Sequence, residues 1–245
     1  GGRPHAYAHD MGREEIQAIL GWKKQYGVEI SMFTPEILAY PYSLTSSMEK
    51  ERRETIEYLL KSVETAARLG TDKMQITAKH PGYGVKRETV WGYLEEGTSI
   101  LCRRAGELGV DIILESLSPS EGNTITCVDD ILELQERVNS PALCAMIDMV
   151  PPFIANEPYS DYLERLGTSM KYVHICNGDG TTEFHMQLDN RNGVIPVADF
   201  FRILKRYGYD GWCSLELLNP YFRDPELYLS EAQRCIRRIR QELEL

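Results

Sequence analysis

The sequence predicts an α/β fold of the (β/α)8 TIM-barrel class, on three observations. Helical and strand-like segments alternate along the chain, as in parallel sheets whose strands are joined by outer helices. The chain has 245 residues and no linker-like or low-complexity segment, which favours one large domain over residues 1–245. Acids and a histidine stand at the ends of successive predicted strands, where TIM barrels carry their active sites.

Seven helices are predicted from apolar side chains that recur at helical spacing. Most of them are followed by a glycine, the residue that most readily adopts the left-handed conformation at a helix end. These glycines are Gly27, Gly70, Gly109, Gly167 and Gly208. The predicted helices span residues 13–26, 47–69, 87–108, 128–138, 160–166, 197–207 and 225–242.

Six strands are predicted from short apolar runs between these helices, over residues 28–34, 73–78, 110–115, 143–148, 170–176 and 212–217. The segment 110–119 has an apolar core at 112–114 that ends on Glu115, and it breaks at Pro119, as expected for a strand buried on both faces. Because a barrel needs eight strands, we expect its first strand, first helix and second strand to be missing from this chain. An open doubly wound sheet is the alternative, but no Gly-x-Gly-x-x-Gly motif favours it.

Composition excludes several classes of function. The net charge of −10 disfavours a nucleic-acid partner, which requires a basic surface. No apolar run is long enough to span a bilayer, and we expect no signal peptide. The six cysteines form no Cys-x-x-Cys pair, and three of them lie in predicted strands. This pattern is typical of reduced thiols in a cytoplasmic protein.

Four ionisable side chains come from four consecutive predicted strands: Glu115, Asp148, His174 and Glu216. Each alone has an ordinary structural explanation, such as a capping aspartate or a hydrogen-bonded core histidine. Together, three carboxylates at one mouth would repel each other and raise each other's pKa values, and a divalent cation would remove that repulsion. Three carboxylates and one imidazole without a thiolate favour Mn²⁺, with Mg²⁺, Co²⁺ or Zn²⁺ as alternatives.

Several short motifs carry a resemblance that extends over nearly the whole chain. They are the opening Gly-Gly-Arg-Pro-His-Ala, Phe-Thr-Pro-Glu at 33–36, Tyr-Pro-Tyr at 40–42, and the immediate contexts of Glu115, Asp148, His174 and Glu216. In these motifs the chain resembles the xylose isomerase-like TIM-barrel superfamily of sugar isomerases and epimerases. The resemblance implies C3 epimerisation of a ketose or of an Amadori sugar of the fructoselysine type.

The resemblance also implies roles for the site residues. A divalent metal would be held by the four strand-end residues, and Glu115 and Glu216 would double as the acid and base. They would remove and return a proton through a metal-stabilised enediolate. Rim residues are candidates for binding the small-molecule sugar: Glu36, Tyr42, His80 and His185. Barrels of this group often pair, so the resemblance also implies a homo-oligomer.

The chain departs from the family at Pro151, at Asn177 and in the loop 177–193, so the choice of sugar is expected to reside there. A sugar dehydratase or an aldose–ketose isomerase on the same barrel is the alternative. An enzyme of abasic DNA, similar to endonuclease IV, is disfavoured by the acidic charge and by the small number of histidines, five. A non-catalytic sugar-binding barrel is a further alternative.

Overall fold

Five parallel strands form a single sheet in the computed structural model, which describes residues 1–217 and 225–244. Their order is β1-β2-β3-β4-β5, so each strand pairs with the next one along the chain. The strands are β1 (Lys73–Thr77), β2 (Asp111–Glu115), β3 (Leu143–Asp148), β4 (Met170–Ile175) and β5 (Trp212–Leu215). This order, with helices between strands, confirms the predicted (β/α)8 class.

Helices cover the outside of the sheet. They are α1 (Arg13–Tyr26), α2 (Glu49–Leu69), α3 (Arg87–Leu108), α4 (Val128–Val138), α5 (Val150–Ile154), α6 (Tyr159–Leu166), α7 (Val197–Arg206) and α8 (Pro225–Leu243). The predicted limits of α1, α3 and α4 are confirmed at both ends. The predicted glycine stops are confirmed as well, for example at Gly27 and Gly70, whose φ angles are 63° and 75°. In the described part of the chain, no helix combines the length and apolar composition needed to cross a membrane.

The segment 28–34 was expected to be a strand and is not one. Only Phe33 pairs with the sheet, in a parallel bridge to Met74. Its N–H donates to the Lys73 carbonyl at 2.9 Å, and its carbonyl accepts from the Gln75 N–H at 3.1 Å. Pro35 follows two residues later and has no N–H to continue the pairing. The segment therefore lies beside β1 and parallel to it, as a barrel strand would, but it pairs with β1 through one bridge only.

Strand β5 and helix α5 also differ from expectation, whereas the limits of the other strands and of the described helices shift by two residues or fewer. Strand β5 ends at Leu215, so Glu216 follows the strand instead of lying within it. The Glu216 N–H still donates to the Ile175 carbonyl at 3.1 Å, which keeps this residue in line with β4. The short helix α5 was not predicted. Its second and third residues are Pro151 and Pro152, which are tolerated because first-turn N–H groups lack an intrahelical acceptor.

Apolar side chains fill the space on both faces of the sheet. The outer face packs against the helices, where large side chains such as Tyr58 and Trp91 are fully buried. The inner face carries a smaller cluster: Ile113, Cys144, Met146 and Tyr172, with Met32 packed against it. The Ser31 hydroxyl lies 2.6 Å from the Tyr172 hydroxyl, so the segment before β1 reaches β4 and the sheet curls around this inner cluster.

Candidate active site and metal centre

The alternation of strand side chains places the predicted ligands on the inner face of the sheet. Glu115, Asp148 and His174 each lie two residues beyond an inner-cluster residue and so point to the same side. Glu216 joins them from the residue that follows β5. One ligand atom from each of the four side chains lies within 4.8 Å of the others. The structure therefore brings together all four residues predicted from the strand ends.

The His174 Nδ1 atom lies at the centre of this cluster. It is 3.2 Å from Glu115 Oε1, 3.6 Å from Asp148 Oδ2 and 2.5 Å from Glu216 Oε2. The residue is 6 % exposed, and all three carboxylates lie within ion-pair distance of Nδ1. A nitrogen lone pair and three carboxylates converging on one point are a donor set that fits a divalent cation.

The pKa values reflect the crowding of charge. Burial alone would lower the pKa of His174, but the carboxylates of Asp148, Glu115 and Glu216 raise it well above its ordinary value. Burial likewise would raise the pKa of Asp148, yet His185 and His174 lower it far below the ordinary range. Burial raises the pKa of Glu216 to about 7, although His174 counteracts this shift. Positive charge on His174 and His185 thus balances part of the negative charge of the carboxylates, as a bound cation would.

Neighbouring groups orient the ligands. The Gln75 side-chain amide donates to Glu115 Oε2. Asp148 Oδ1 accepts the Val150 N–H at 2.7 Å, and Asp148 Oδ2 lies 3.1 Å from His185 Nε2. The other ring nitrogen of His185 donates to the Glu183 carbonyl at 3.0 Å. Supporting hydrogen bonds of this kind fix ligand orientation in metal sites.

A cavity of about 270 Å³ opens directly above this cluster. Of the candidate substrate residues, Glu36 and His185 line it. Glu36 is half-buried, and its Oε1 accepts the Ala39 N–H at 2.9 Å. The volume is suited to one small molecule, not to a polymer.

The structure does not bring the other two candidates, Tyr42 and His80, to this cavity. The Tyr42 ring stacks on Tyr58 with centroids 4.3 Å apart, and its hydroxyl lies 2.6 Å from that of Tyr7. His80 is exposed, and its Nδ1 accepts the Gly82 N–H at 3.0 Å. Their loops leave the sheet in directions that strand order alone did not reveal.

Among the further lining residues, four with side chains that can bind or carry charge were missed in the sequence: Gln75, Thr77, Glu121 and Glu183. Gln75 and Thr77 were detectable as polar residues at alternate positions of an apolar strand. Burial and the charges of Glu183 and Glu115 raise the pKa of Glu121 to about 8, and burial raises that of Glu183. The positions of Glu121 and Glu183 depend on long loops, for which the sequence offers no periodic signal.

A larger hollow of about 860 Å³ lies at the other end of the strands, near the first residues of β1, β4 and β5. Asp210 is the single carboxylate among its described lining residues, and no imidazole lines it. Its size therefore does not make it the better candidate for a catalytic site, because it lacks convergent ionisable groups.

Sequence comparisons place the chain in a known family. The profile of the xylose isomerase-like TIM-barrel family matches residues 2–239. Fructoselysine 3-epimerase of Escherichia coli O157:H7 is 34 % identical over 232 residues, which cover 95 % of this chain and 84 % of that protein. The chain belongs to the xylose isomerase-like TIM-barrel family. The predicted resemblance is confirmed, and so is the prediction of an isomerase or epimerase.

Solved structures show the same fold at low sequence identity. A D-tagatose 3-epimerase-like protein superposes with a TM-score of 0.80 at 19 % identity, over 95 % of this chain and 86 % of that one. D-psicose 3-epimerase from Clostridium cellulolyticum H10, solved with D-tagatose, gives 0.79 at 15 % identity, over 94 % and 84 % of the two chains. These similarities support the barrel architecture.

Proposed function

We propose that this chain is a divalent-metal-dependent epimerase that inverts carbon 3 of a ketose or of an Amadori sugar of the fructoselysine type. The observation that carries the proposal is the buried His174 Nδ1 atom, which lies within ion-pair distance of three carboxylates at the base of a cavity. The identity to a fructoselysine 3-epimerase supports the reaction type.

The residues that would hold the metal are Glu115, Asp148, His174 and Glu216. Their oxygen-rich donor set favours Mn²⁺, with Mg²⁺, Co²⁺ or Zn²⁺ as alternatives. When bound, the cation would supply a Lewis acid that balances the negative charge developing on the sugar's carbonyl and hydroxyl oxygens.

Glu115 and Glu216 are the proposed acid and base. Glu115 ends β2 and Glu216 follows β5, with β3 and β4 between them in the sheet. The two carboxylates therefore approach the cluster from opposite sides. Inversion of a carbon next to a carbonyl requires removal of a proton from one face and delivery to the other. One glutamate removes the proton from carbon 3, and the opposite one returns a proton.

Glu36 and His185 are the proposed binding residues for sugar hydroxyls, since both line the cavity. We also propose a cytoplasmic location. All six cysteines are free, and thiols persist in a reducing compartment.

Deuterium exchange tests the proposal. The full chain with Mn²⁺ is incubated in D₂O with a series of ketoses and Amadori sugars, and carbon 3 is followed by NMR. We expect deuterium at carbon 3 that disappears when the metal is chelated. Glu216→Gln should bind the sugar but exchange at least ~100-fold more slowly, because the general base is lost.

The matched control is Glu14→Gln, an exposed glutamate in α1, which should exchange like the wild type. Absence of exchange on every ketose and Amadori sugar would contradict the proposal. Product analysis separates the alternatives, because a dehydratase loses water and an aldose–ketose isomerase moves the carbonyl to carbon 1.

A further inference from the structure

A second group of ligand atoms shares Asp148 with the proposed metal centre. Cys176, His185 and Asp148 are all buried, and one ligand atom from each lies within 4.8 Å of the others. The His185 Nε2 atom is 3.1 Å from Asp148 Oδ2, and the Cys176 Sγ atom is 4.0 Å from Asp148 Oδ1. Zn²⁺ forms bonds of about 2.0–2.3 Å, so ligand atoms on one ion lie roughly 3–4.5 Å apart. Both distances fall in this range.

Cys176 is the thiol that a metal ion at this end of the sheet would contact. It directly follows β4, two residues beyond His174, and it is fully buried. Its Sγ lies against the Asp148 carboxylate. Across residues 1–217 and 225–244, no other group of potential metal ligands contains a cysteine.

The His185 ring is oriented as a metal-binding imidazole would be. Its Nδ1 donates to the Glu183 carbonyl at 3.0 Å, which leaves Nε2 directed toward Asp148. Metal-binding histidines usually donate their other ring N–H to a carbonyl or a carboxylate, which fixes the ring. This hydrogen bond is independent of the position of the cysteine. Asp148 and His185 also line the cavity, through which an ion can reach them.

We propose that Cys176, His185 and Asp148, here called the thiol triad, bind Zn²⁺ and that this binding removes Asp148 from the proposed metal centre. Thiolate, imidazole and carboxylate are the three ligand types of protein Zn²⁺ sites, and a thiolate favours Zn²⁺ over Mn²⁺. As the Zn–S bond forms, the Sγ–H bond of Cys176 breaks and its proton leaves to solvent. A proton on His185 Nε2 leaves in the same way.

The two oxygens of Asp148 make the two modes of binding exclusive. Cys176 lies next to Oδ1 and His185 next to Oδ2, so an ion between sulfur and nitrogen would contact both oxygens. The His174 Nδ1 atom at the proposed metal centre is 3.6 Å from the same Oδ2. Zn²⁺ on the thiol triad would therefore inhibit a reaction that depends on Mn²⁺. The inhibition rests on the proposed function, whereas Zn²⁺ binding by the thiol triad does not.

X-ray absorption at the zinc edge tests the thiol triad directly. The full chain is loaded with one equivalent of Zn²⁺, and we expect one sulfur neighbour at about 2.3 Å. Cys176→Ser should show only nitrogen and oxygen neighbours at about 2.0–2.2 Å. The matched control is Cys144→Ser, which should retain the sulfur neighbour. Cys144 is also a buried free thiol, but its Sγ lies 3.9 Å from the Pro141 carbonyl.

Release of Mn²⁺ tests the exclusion. The Mn²⁺-loaded chain is titrated with Zn²⁺, and free Mn²⁺ is followed by electron paramagnetic resonance. Zn²⁺ outcompetes Mn²⁺ at most nitrogen and oxygen sites, so the comparison between variants decides. The wild type and Cys144→Ser should release Mn²⁺ at a Zn²⁺ concentration about tenfold or more below that needed for Cys176→Ser. The Mn²⁺ affinity of Cys176→Ser should equal that of the wild type.

The outcomes separate this inference from the proposed function. Zn²⁺ without a sulfur neighbour in the wild type overturns the thiol triad, and so does a sulfur neighbour that persists in Cys176→Ser. If Cys176→Ser does not fold, the wild-type spectrum still decides, and Cys176→Ala is the second variant. Equal Zn²⁺ sensitivity of Mn²⁺ release in the wild type and Cys176→Ser overturns the exclusion. Sulfur coordination of Zn²⁺ in a chain that binds no Mn²⁺ contradicts the proposed metal centre and supports the thiol triad.

Discussion

His185 connects Asp148, one of the proposed metal ligands, to the loop after β4. Its Nδ1 donates to the Glu183 carbonyl, which fixes the ring, and its Nε2 lies 3.1 Å from Asp148 Oδ2. Asp148 Oδ1 is held separately by the Val150 N–H. The aspartate is thus oriented on both oxygens, and one of the two supports is a side chain that can be replaced without altering the backbone.

Replacing His185 with Ala should weaken Mn²⁺ binding about 10- to 100-fold, the usual loss when a ligand's supporting residue is removed. Isothermal titration calorimetry of the metal measures the change. His80→Ala is the control, because His80 is exposed and its described hydrogen bond is to its own loop. Equal affinity of His185→Ala and the wild type would show that Asp148 does not depend on this histidine.

The Glu121 carboxyl should make the stability of the metal-free chain pH-dependent. Its pKa is raised from 4.5 to about 8 in the folded chain, chiefly by burial and Glu183. An acid with a raised folded pKa contributes stability that is complete below its unfolded pKa and lost as pH rises through the folded pKa. Ionisation at alkaline pH therefore works against folding.

Glu121→Gln removes this ionisation and should melt higher than the wild type at pH 9, with the difference shrinking toward pH 5. Because the group is partly solvated, we expect about 1 kcal/mol, or ~2–4 °C in melting temperature for a chain of this size. Thermal melts in EDTA across this pH range measure the difference. A gap that stays constant with pH would contradict the assignment.

At the scale of elements, the loop between β2 and α4 places Glu121 through a close approach of two backbones. A Cβ atom on Gly122 would lie 2.7 Å from the Ala78 carbonyl oxygen and 3.1 Å from Leu117 Cδ1. The first of these contacts is with backbone and cannot be relieved by rotating a side chain. Glycine at 122 therefore lets the loop fold down over the end of β1.

Gly122→Ala should destabilise the chain by about 1–3 kcal/mol, because the loop must move away from β1. It should also displace the adjacent Glu121, which lines the cavity. Gly106→Ala is the control: this exposed α3 glycine has open space around its would-be Cβ, and alanine should stabilise the helix by ~0.5–1 kcal/mol. Urea denaturation measures both, and equal effects would argue against the backbone clash.

Elements with a local signal were predictable from the sequence, and those that depend on their neighbours were not. The limits of α3 follow from its apolar spacing and a terminal glycine. Segment 28–34 has the composition of a strand, but only Phe33 forms a bridge to β1. Helix α5 is too short to show a helical spacing of apolar residues, and its two prolines are typical of a loop. The local sequence pattern does not determine which backbone N–H and C=O groups find hydrogen-bond partners in the fold.

The residues of the candidate site likewise include some that the sequence pattern revealed and some that it did not. Glu115 and Asp148 could be found because they end apolar strands, and parallel strand ends meet at one edge. Glu121 and Glu183 lie in loops whose paths are set by packing, such as the contact of Gly122 with Ala78. Tyr42 was assigned to the rim but packs in an aromatic stack with Tyr58, which strand order could not reveal.

At the scale of the whole molecule, the proposed metal centre joins separate parts of the sheet. Its ligands come from β2, β3, β4 and the residue after β5, spanning residues 115 to 216 of the chain. Unfolding separates them, so a cation that binds this set binds the folded chain in preference to the unfolded one. Metal binding should therefore be linked to global stability.

Mn²⁺ at about 100 times its dissociation constant should add ~2.7 kcal/mol to the free energy of unfolding. For a chain of this size that corresponds to a rise of roughly 5–10 °C in melting temperature, reversed by EDTA. Differential scanning calorimetry with and without metal measures the shift.

Asp148→Asn should lose most of this shift in melting temperature, because a neutral amide replaces a proposed ligand that the fold orients on both oxygens. The control Asp199→Asn, on the exposed surface of α7, should retain the shift in full. A melting temperature that does not respond to Mn²⁺ in the wild type, or a shift that survives intact in Asp148→Asn, would mean that the four strand-end residues do not hold the ion.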